Sequence, residues 1–318
     1  MSKIALFGAA GVIGQSIAEV VRAQGQPYRV VGRSQSALQS AFGTDALAEI
    51  MTWNPDDPDS VRAAAQEVET IIYLVGVPYT DFHLHPLLMQ KTLDGAISVG
   101  VKRIVLIGTV YPYGHPQTTP VREDHPRDPH TFKGKMRQQQ EDLLMEADAQ
   151  GLIRGTVLRL PDFYGPNVER SFMYSAFRAA IDGKRAQLIG PINTPHEYVY
   201  VPDVGPVVVA LAQEPRAYGQ VWHFAGVGTI TQREFVDRIF AAVGRDPKLF
   251  VANKLMLRAI GLFDGFMREM VEMQYLLTTP IIMDDTKLYA LLGKIHKTPY
   301  EEGIRQTLTA MGAQPLRP

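Results

Sequence analysis

The 318-residue chain contains no cysteine. Disulfides, thiolate metal sites and cysteine nucleophiles are therefore excluded. Charge of one sign is also missing: 32 Lys and Arg stand against 33 Asp and Glu, a formal net charge of −1. No broad basic field of the kind nonspecific nucleic-acid binding needs can be built from that balance. No apolar run is long enough for a membrane helix; the longest, 70–77 and 204–212, suit a buried strand and a packed helix. The first residues carry one early Lys but no apolar stretch of secretory type. These absences predict a soluble, cytoplasmic protein whose partner is a small molecule, with neither nucleic acid nor membrane engaged.

What is present is an alternation. Residues 3–7 form an apolar strand run ending at Gly8, and Ile13, Ile17, Val20 and Val21 then recur at helical spacing up to Gly25. Further strands are expected at 28–31, 48–53, 70–75, 103–107 and 155–160, with helices at 60–67, 87–99 and 131–150. Strands alternating with helices of this length imply βαβ units, and so an α/β fold with a doubly wound parallel sheet. After Pro161 the rhythm changes. Helices are expected at 169–182, 232–243 and 300–311, and strands at 196–201 and 221–224. The segment 253–277 carries Met256, Ile260, Phe263, Met267, Met270, Val271 and Met273 at near-helical spacing. Cap core is the first reading of it; a mobile apolar lid or an oligomer surface, such as that of a homodimer, is the other. Glu269 and Glu272 in this segment, if buried, are candidates for recognising a polar substrate.

Between the first strand and first helix lies Gly8-Ala9-Ala10-Gly11-Val12-Ile13-Gly14. One glycine permits the tight turn, another admits a pyrophosphate close to the backbone, and the third lets helix and strand pack. The helix N-terminus then faces the anion. The spacing is GxxGxxG, and Gly8, Gly11, Val12, Ile13 and Gly14 are the expected cofactor contacts. The second strand ends Val31-Gly32-Arg33-Ser34. An acidic residue here would accept the ribose hydroxyls, whereas the guanidinium of Arg33 and the hydroxyl of Ser34 suit a 2′-phosphate. NADP is therefore expected in preference to NAD; an Arg33 stacked on adenine would fit either.

With these residues in view, the chain resembles the extended short-chain dehydrogenase/reductase superfamily, the NAD(P)-dependent epimerase/dehydratase group. Gly8–Gly14 is similar to its cofactor loop, Gly108-Thr109-Val110-Tyr111-Pro112-Tyr113-Gly114 to its Ser/Thr segment ending in Tyr-Gly, and Leu158-Arg159-Leu160-Pro161-Asp162-Phe163-Tyr164-Gly165-Pro166 to its LR…YGP signature. Residues 197–204 are similar to its V-x-D-V element, and Gly293 with 298–308 to its C-terminal pattern. The resemblance implies a Rossmann-type dinucleotide-binding domain, 1–162 plus about 195–225, and a smaller discontinuous C-terminal cap, about 163–194 plus 226–318. It adds Val75, Gly76 and Pro161 to the expected cofactor contacts. It also implies a Ser/Thr, a Tyr and a Lys at the nicotinamide, the last two as Tyr-x-x-x-Lys on one helix face. The Lys would lower the Tyr pKa, and the Tyr would act as general acid or base on the substrate oxygen.

Here the pattern breaks. Thr109 matches the Ser/Thr and Lys135 is taken as the Lys, binding cofactor as well, but Thr131 stands four residues before it. An aliphatic hydroxyl cannot replace a phenol as an acid. Either Tyr111 or Tyr113 supplies the phenol from the loop, or the chain binds cofactor without reductase chemistry, as a sensor or regulatory partner. His83, Asp162 and His196 are candidate substrate contacts. His83 and His85 are two apart with Pro86 next, a poor metal spacing, so no metal site is expected. Asp203 is expected to cap the helix that follows it. The two function classes are an NAD(P)-dependent reductase, epimerase or dehydratase of a small carbonyl, alcohol or nucleotide-sugar, and a noncatalytic NAD(P)-binding regulator.

Overall fold

The structure is a computed structural model and describes residues 3–169, 171 and 173–316. The first half alternates strictly: β1 (Ile4–Phe7), α1 (Val12–Ala23), β2 (Tyr28–Gly32), α2 (Gln35–Phe42), β3 (Ala48–Thr52), α3 (Pro58–Ala65), β4 (Thr70–Tyr73), α4 (Leu84–Ser98), β5 (Arg103–Thr109), α5 (Phe132–Ala149) and β6 (Arg154–Leu160). Then come β7 (Asp162–Tyr164), α6 (Tyr174–Asp182), β8 (Ala186–Ile189), β9 (Pro195–Tyr200), α7 (Val201–Gln213), β10 (Gln220–His223), β11 (Thr229–Thr231), α8 (Gln232–Ala242) and β12 (Leu249–Ala252). Five helices close the chain: α9 (Lys254–Ile260), α10 (Gly265–Met273), α11 (Tyr275–Thr278), α12 (Thr286–Leu292) and α13 (Tyr300–Ala310).

Seven strands form one parallel sheet in the order β3-β2-β1-β4-β5-β6-β10. The order reverses direction between β1 and β4, the crevice where doubly wound folds bind their ligands. Every residue of β1 is buried, because both faces of the sheet are covered. Alternation sorts them: Ile4 and Leu6 join the core under α1 and α7, while Ala5 and Phe7 join that under α3, α4 and α5. Helices α1 and α7 approach so closely that a Cβ on Gly205 would lie 2.3 Å from the Ser16 carbonyl oxygen. Strand β3 forms the sheet's edge and is only half-buried, which weakens its apolar signal.

Helix starts follow local chemistry. Asp57 caps α3 through the Asp59 amide and Pro58 takes its first position, so that helix begins ahead of the expected 60. Pro86 sits in the first turn of α4, where it removes no internal hydrogen bond, so this helix also begins before the expected 87. Helix α6 covers the later part of the expected 169–182; Arg170 and Phe172 lie outside the described residues.

Past Pro161 the chain builds a three-stranded sheet, β11-β9-β7, and a two-stranded one, β12-β8. Strand β9 thus pairs within the smaller sheet; the return to the main sheet over 195–225 is made by α7 and β10 alone. Leu288 of α12 also reaches back into the main core. The cap has its own core, including Phe177, Phe235, Ile239, Phe240, Ile304 and Leu308. The segment 253–277 is not one helix: a turn at 261–264, with Asp264 capping α10, and a break at Gln274 divide it in three. Asp203 is not a cap. It lies in the first turn of α7, buried, accepting from the Thr298 amide (2.7 Å) and hydroxyl (2.8 Å), and so ties the C-terminal segment to this helix.

Candidate active site

The β1–α1 loop is shaped by its glycines. Gly8 has φ +89°, and a Cβ there would stand 2.7 Å from the Leu74 carbonyl. A Cβ on Gly14 would lie 2.2 Å from the Ala9 carbonyl oxygen, so helix and loop pack only without a side chain. Gly11 differs: its Cβ would meet nothing nearer than Gly8 O at 3.8 Å. Gly11 is also the N-cap of α1, and no side chain caps this helix. The amides of the first turn, Val12 and Ile13 among them, therefore adjoin open space, an arrangement that favours an anion. Val75 is buried just beyond β4, and Gly76 has open space where a Cβ would project. These features fit a dinucleotide pyrophosphate crossing the sheet at its switch point.

Arg33 is exposed at the end of β2 and makes no hydrogen bond or ion pair among the described residues. Ser34 is already employed: its hydroxyl caps α2 by accepting from the Ala37 amide at 3.2 Å and lies 3.0 Å from the Ser36 hydroxyl.

At the head of α5 the structure differs from the expected Thr131–Lys135 pair. Thr131 precedes the helix as its N-cap, accepting from the Gly134 amide at 3.0 Å. Lys135 lies on the exposed face. The inward i,i+4 pair is Lys133 and Arg137, both buried. Lys133 Nζ binds the carboxylates of Glu272 (2.5 Å) and Glu269 from α10, and its amide donates to Glu272 Oε1 at 3.1 Å. The ammonium also lies 5.6 Å from the Tyr79 ring centre and 5.8 Å from that of Phe82. Arg137 donates to the Ile107 carbonyl at 2.8 Å and to His85 Nδ1 at 3.2 Å. Burial, with the guanidinium beside it, pushes the His85 imidazole down to about 2, which keeps it neutral and able to accept. His83, by contrast, is exposed at the N-cap of α4 and is not brought to the site. No metal-binding group of side chains occurs among the described residues.

Thr109 ends β5, with its hydroxyl 3.4 Å from the Tyr111 amide. The Tyr111 hydroxyl is hydrogen-bonded to that of Tyr79 at 2.9 Å. Burial pushes the Tyr111 phenol well above its ordinary value, reinforced by Tyr79 and Asp162. Tyr113 turns away from this pair into the interior. Its hydroxyl meets His223 Nε2 at 2.5 Å, and its ring lies 4.5 Å from the Arg159 guanidinium. His223 Nδ1 faces the Asp284 carbonyl at 3.0 Å, which can only accept, so Nε2 is the acceptor for Tyr113. Arg159 in turn pairs with buried Glu141.

Asp162 follows β6 and Pro161, and its carboxylate meets His196 Nε2 of β9 at 2.8 Å. Both border a narrow cavity with Val110, Pro161, Glu197, Leu276 and Ile281. Burial pushes the Glu197 carboxyl up to about 7, although it accepts from the Met283 amide at 3.1 Å. Thus Asp162 and His196 are brought together beside the residue that follows Thr109.

Tyr79, His85, Lys133 and Arg137 are the residues sequence reasoning missed. A signal existed for two of them: Leu144 and Ala147 mark the inward face of α5, and stepping back by helical turns reaches Gln140, Arg137 and Lys133, not Lys135. Nothing local marks Tyr79, whose partner is 32 residues away.

Comparison with known proteins bears on the family and the fold. The model of the NAD dependent epimerase/dehydratase family matches residues 4–224. Protein YeeZ of Escherichia coli (strain K12) is 24% identical over 256 residues, covering 79% of this chain and 87% of that protein. The dTDP-6-deoxy-L-talose 4-dehydrogenase (NAD(P)(+)) of Kitasatospora kifunensis is 23% identical over 256 residues, covering 76% of this chain and 80% of that protein. Among solved structures, UDP-glucuronic acid 4-epimerase from Bacillus cereus in complex with NAD has a TM-score of 0.81 at 15% identity, covering 98% of each chain.

Proposed function

The chain belongs to the NAD-dependent epimerase/dehydratase family, and from that premise we propose that it is an NAD(P)-dependent oxidoreductase, epimerase or dehydratase acting on a small carbonyl, alcohol or nucleotide-sugar. The observation that carries this reading is the open, uncapped head of α1 at the switch point, on the same edge of the sheet as Thr109. The Kitasatospora relative, by its name a dehydrogenase of a dTDP-linked deoxysugar, supports the nucleotide-sugar class.

In this reading Gly8, Gly11, Val12, Ile13 and Gly14 hold the pyrophosphate, Val75, Gly76 and Pro161 border the dinucleotide, and Arg33 favours NADP over NAD. The bound nicotinamide supplies or accepts hydride. Thr109 donates a hydrogen bond to the substrate oxygen, and Tyr111, backed by the Tyr79 hydroxyl, moves its proton. A phenol raised by burial holds its proton at neutral pH, so Tyr111 acts as donor in the reducing direction. Asp162 and His196 orient the substrate from the cap side. The direct test is an NADPH titration followed by turnover of a carbonyl panel. Tyr111→Phe is expected to lower kcat by about 10²–10⁴ with NADPH affinity unchanged, while Tyr113→Phe acts on stability. Equal turnover by Tyr111→Phe and the parent refutes the phenol assignment.

A second reading, the noncatalytic NAD(P)-binding regulator, is favoured by one feature: the inward position four residues before Arg137 holds Lys133, locked to Glu269 and Glu272, instead of a phenol. Tight NADPH binding with no turnover across the panel selects it.

A further inference from the structure

Leu87, Phe132, Leu152, Val227 and Leu316 are exposed singly over the surface, but six further exposed apolar side chains fall within residues 250–263 of the cap. Phe263 is 93% exposed, Leu255 73% and Leu262 72%, and Phe250, Val251 and Ile260 are exposed close by in sequence. Soluble surfaces carry such residues singly; a concentration of them marks a contact site. Helical geometry produces this one. Leu255, Arg258, Ala259 and Leu262 share the outward side of α9 and its end, while Leu257 and Gly261 turn inward. The α9–α10 turn is held at its apex: Arg268 Nε donates to the Gly261 carbonyl at 2.9 Å, and Asp264 accepts from the Met267 amide at 3.1 Å.

The charges around this tip are one-sided. On α9, the turn and the start of α10, Lys254, Arg258 and Arg268 stand against Asp264, which is engaged as the cap of α10, while Glu269 and Glu272 farther along α10 are held by Lys133. Lys254 and Arg258 make no hydrogen bond or ion pair among the described residues. A second copy docking symmetrically would set these cations against themselves. An anionic bilayer instead receives the apolar tip at its acyl boundary and the amines at its headgroups. No helix among the described residues is long and apolar enough to cross a membrane, so the contact is peripheral.

We propose that the α9–α10 tip docks this protein on an anionic lipid surface. The element that docks also carries Glu269 and Glu272, which hold Lys133 beside the cleft. Lipid contact and the cap's grip on α5 therefore share one hairpin. This inference does not rest on the cofactor reading, because lipid binding needs neither dinucleotide nor turnover.

The test is co-sedimentation of the full chain with phosphatidylcholine vesicles, with and without phosphatidylglycerol. Binding is expected only with phosphatidylglycerol present and is weakened by salt. The double variant Leu262→Asp/Phe263→Asp is expected to lower the partition coefficient about tenfold or more, with an unchanged Tm. Lys254→Glu/Arg258→Glu is expected to abolish the phosphatidylglycerol preference. If the aspartate pair unfolds the chain, Phe263→Ser alone carries the test, since that side chain is almost wholly exposed. Absence of sedimentation with phosphatidylglycerol vesicles, or binding equal in parent and variants, overturns the proposal. So does a dimer in light scattering that Phe263→Ser dissociates, which makes the tip an interface between copies.

Discussion

The heads of two helices on the same sheet treat space in opposite ways. At the start of α1 the loop is kept open: a Cβ on Gly11 would meet nothing nearer than Gly8 O at 3.8 Å, and no side chain caps the first turn. At the start of α5 the space is filled. Thr131 caps the helix, a Cβ on Gly134 would stand 2.8 Å from the Tyr111 carbonyl, and Lys133 is buried between two carboxylates. Dinucleotide binding by such a loop depends on backbone amides and room, which many sequences can supply. Proton chemistry depends on one side chain at one place, which a single substitution removes. A chain can therefore keep the fold and the anion cradle of its family while its acid–base group changes.

The sharpest way to break this comparison is to fill the empty head. Gly11→Val is expected to weaken NAD(P) by roughly 10³-fold or more, because the side chain enters the pyrophosphate's space. The fold should survive, since a Cβ at Gly11 has no close neighbour. Calorimetric titration and circular dichroism check the two halves of the claim. A folded variant with parent affinity places the cofactor elsewhere.

The converse is to empty the filled head of its charge. Glu269→Gln with Glu272→Gln leaves the Lys133 ammonium buried without a counter-ion. A loss of about 2–4 kcal/mol is expected at neutral pH, allowing for the partial exposure of both carboxylates. Lys133→Met, which removes the buried cation itself, should cost less. Chemical denaturation of the three proteins checks the order; a reversed order means that the ion pairs contribute little to seating α10.

A third contrast is Glu197 of β9, the buried carboxyl that borders the narrow cavity with Asp162 and His196. Its folded pKa, about 7, is above its ordinary 4.5, so the folded state holds the proton more tightly than the unfolded one. Stability should therefore fall as pH rises from about 4.5 to about 7, and level off above that. Glu197→Gln, which keeps an acceptor for the Met283 amide, removes this slope. It is expected to be more stable than the parent by about 1–3 kcal/mol at pH 8, with the two alike near pH 4. Denaturation at the two pH values decides it; a constant difference shows that Glu197 is not the titrating group.

The same contrast governs what the sequence could tell. The sheet strands were legible because each is a short apolar run between helical patterns, and the loop was legible because its glycines are local to ten residues. Strand β9 was visible as a strand, but its sheet was not, since pairing with β7 and β11 is a long-range choice. The site at α5 was misplaced by two residues. The helix residues and Glu141 that follow it favoured Lys135, whereas burial, set by where α5 meets the sheet, turns Lys133 and Arg137 inward. Tyr79 reaches the site through folding alone, and Glu269 and Glu272, which the sequence offered for a polar substrate, meet Lys133 instead.

The smallest effect is expected at the rim of the open head, where the proposed preference for NADP would be set. Arg33 is exposed and unpaired, so no contact within the chain competes for its guanidinium. Ser34 is committed to capping α2, so its hydroxyl is less able to add a second contact. Selectivity should therefore rest on Arg33 in the main. Arg33→Ala is expected to weaken NADPH by about 1–2 kcal/mol, the scale of one exposed charge-assisted contact, and to leave NADH nearly unchanged. Because the side chain is exposed, Tm should barely move. Ser34→Ala should instead lower Tm slightly through the lost cap, with both cofactors affected alike. Paired titrations with NADPH and NADH separate the cases. Equal losses in Arg33→Ala would show that the guanidinium acts on the adenine that both cofactors share, and the NADP preference would then have no residue to carry it.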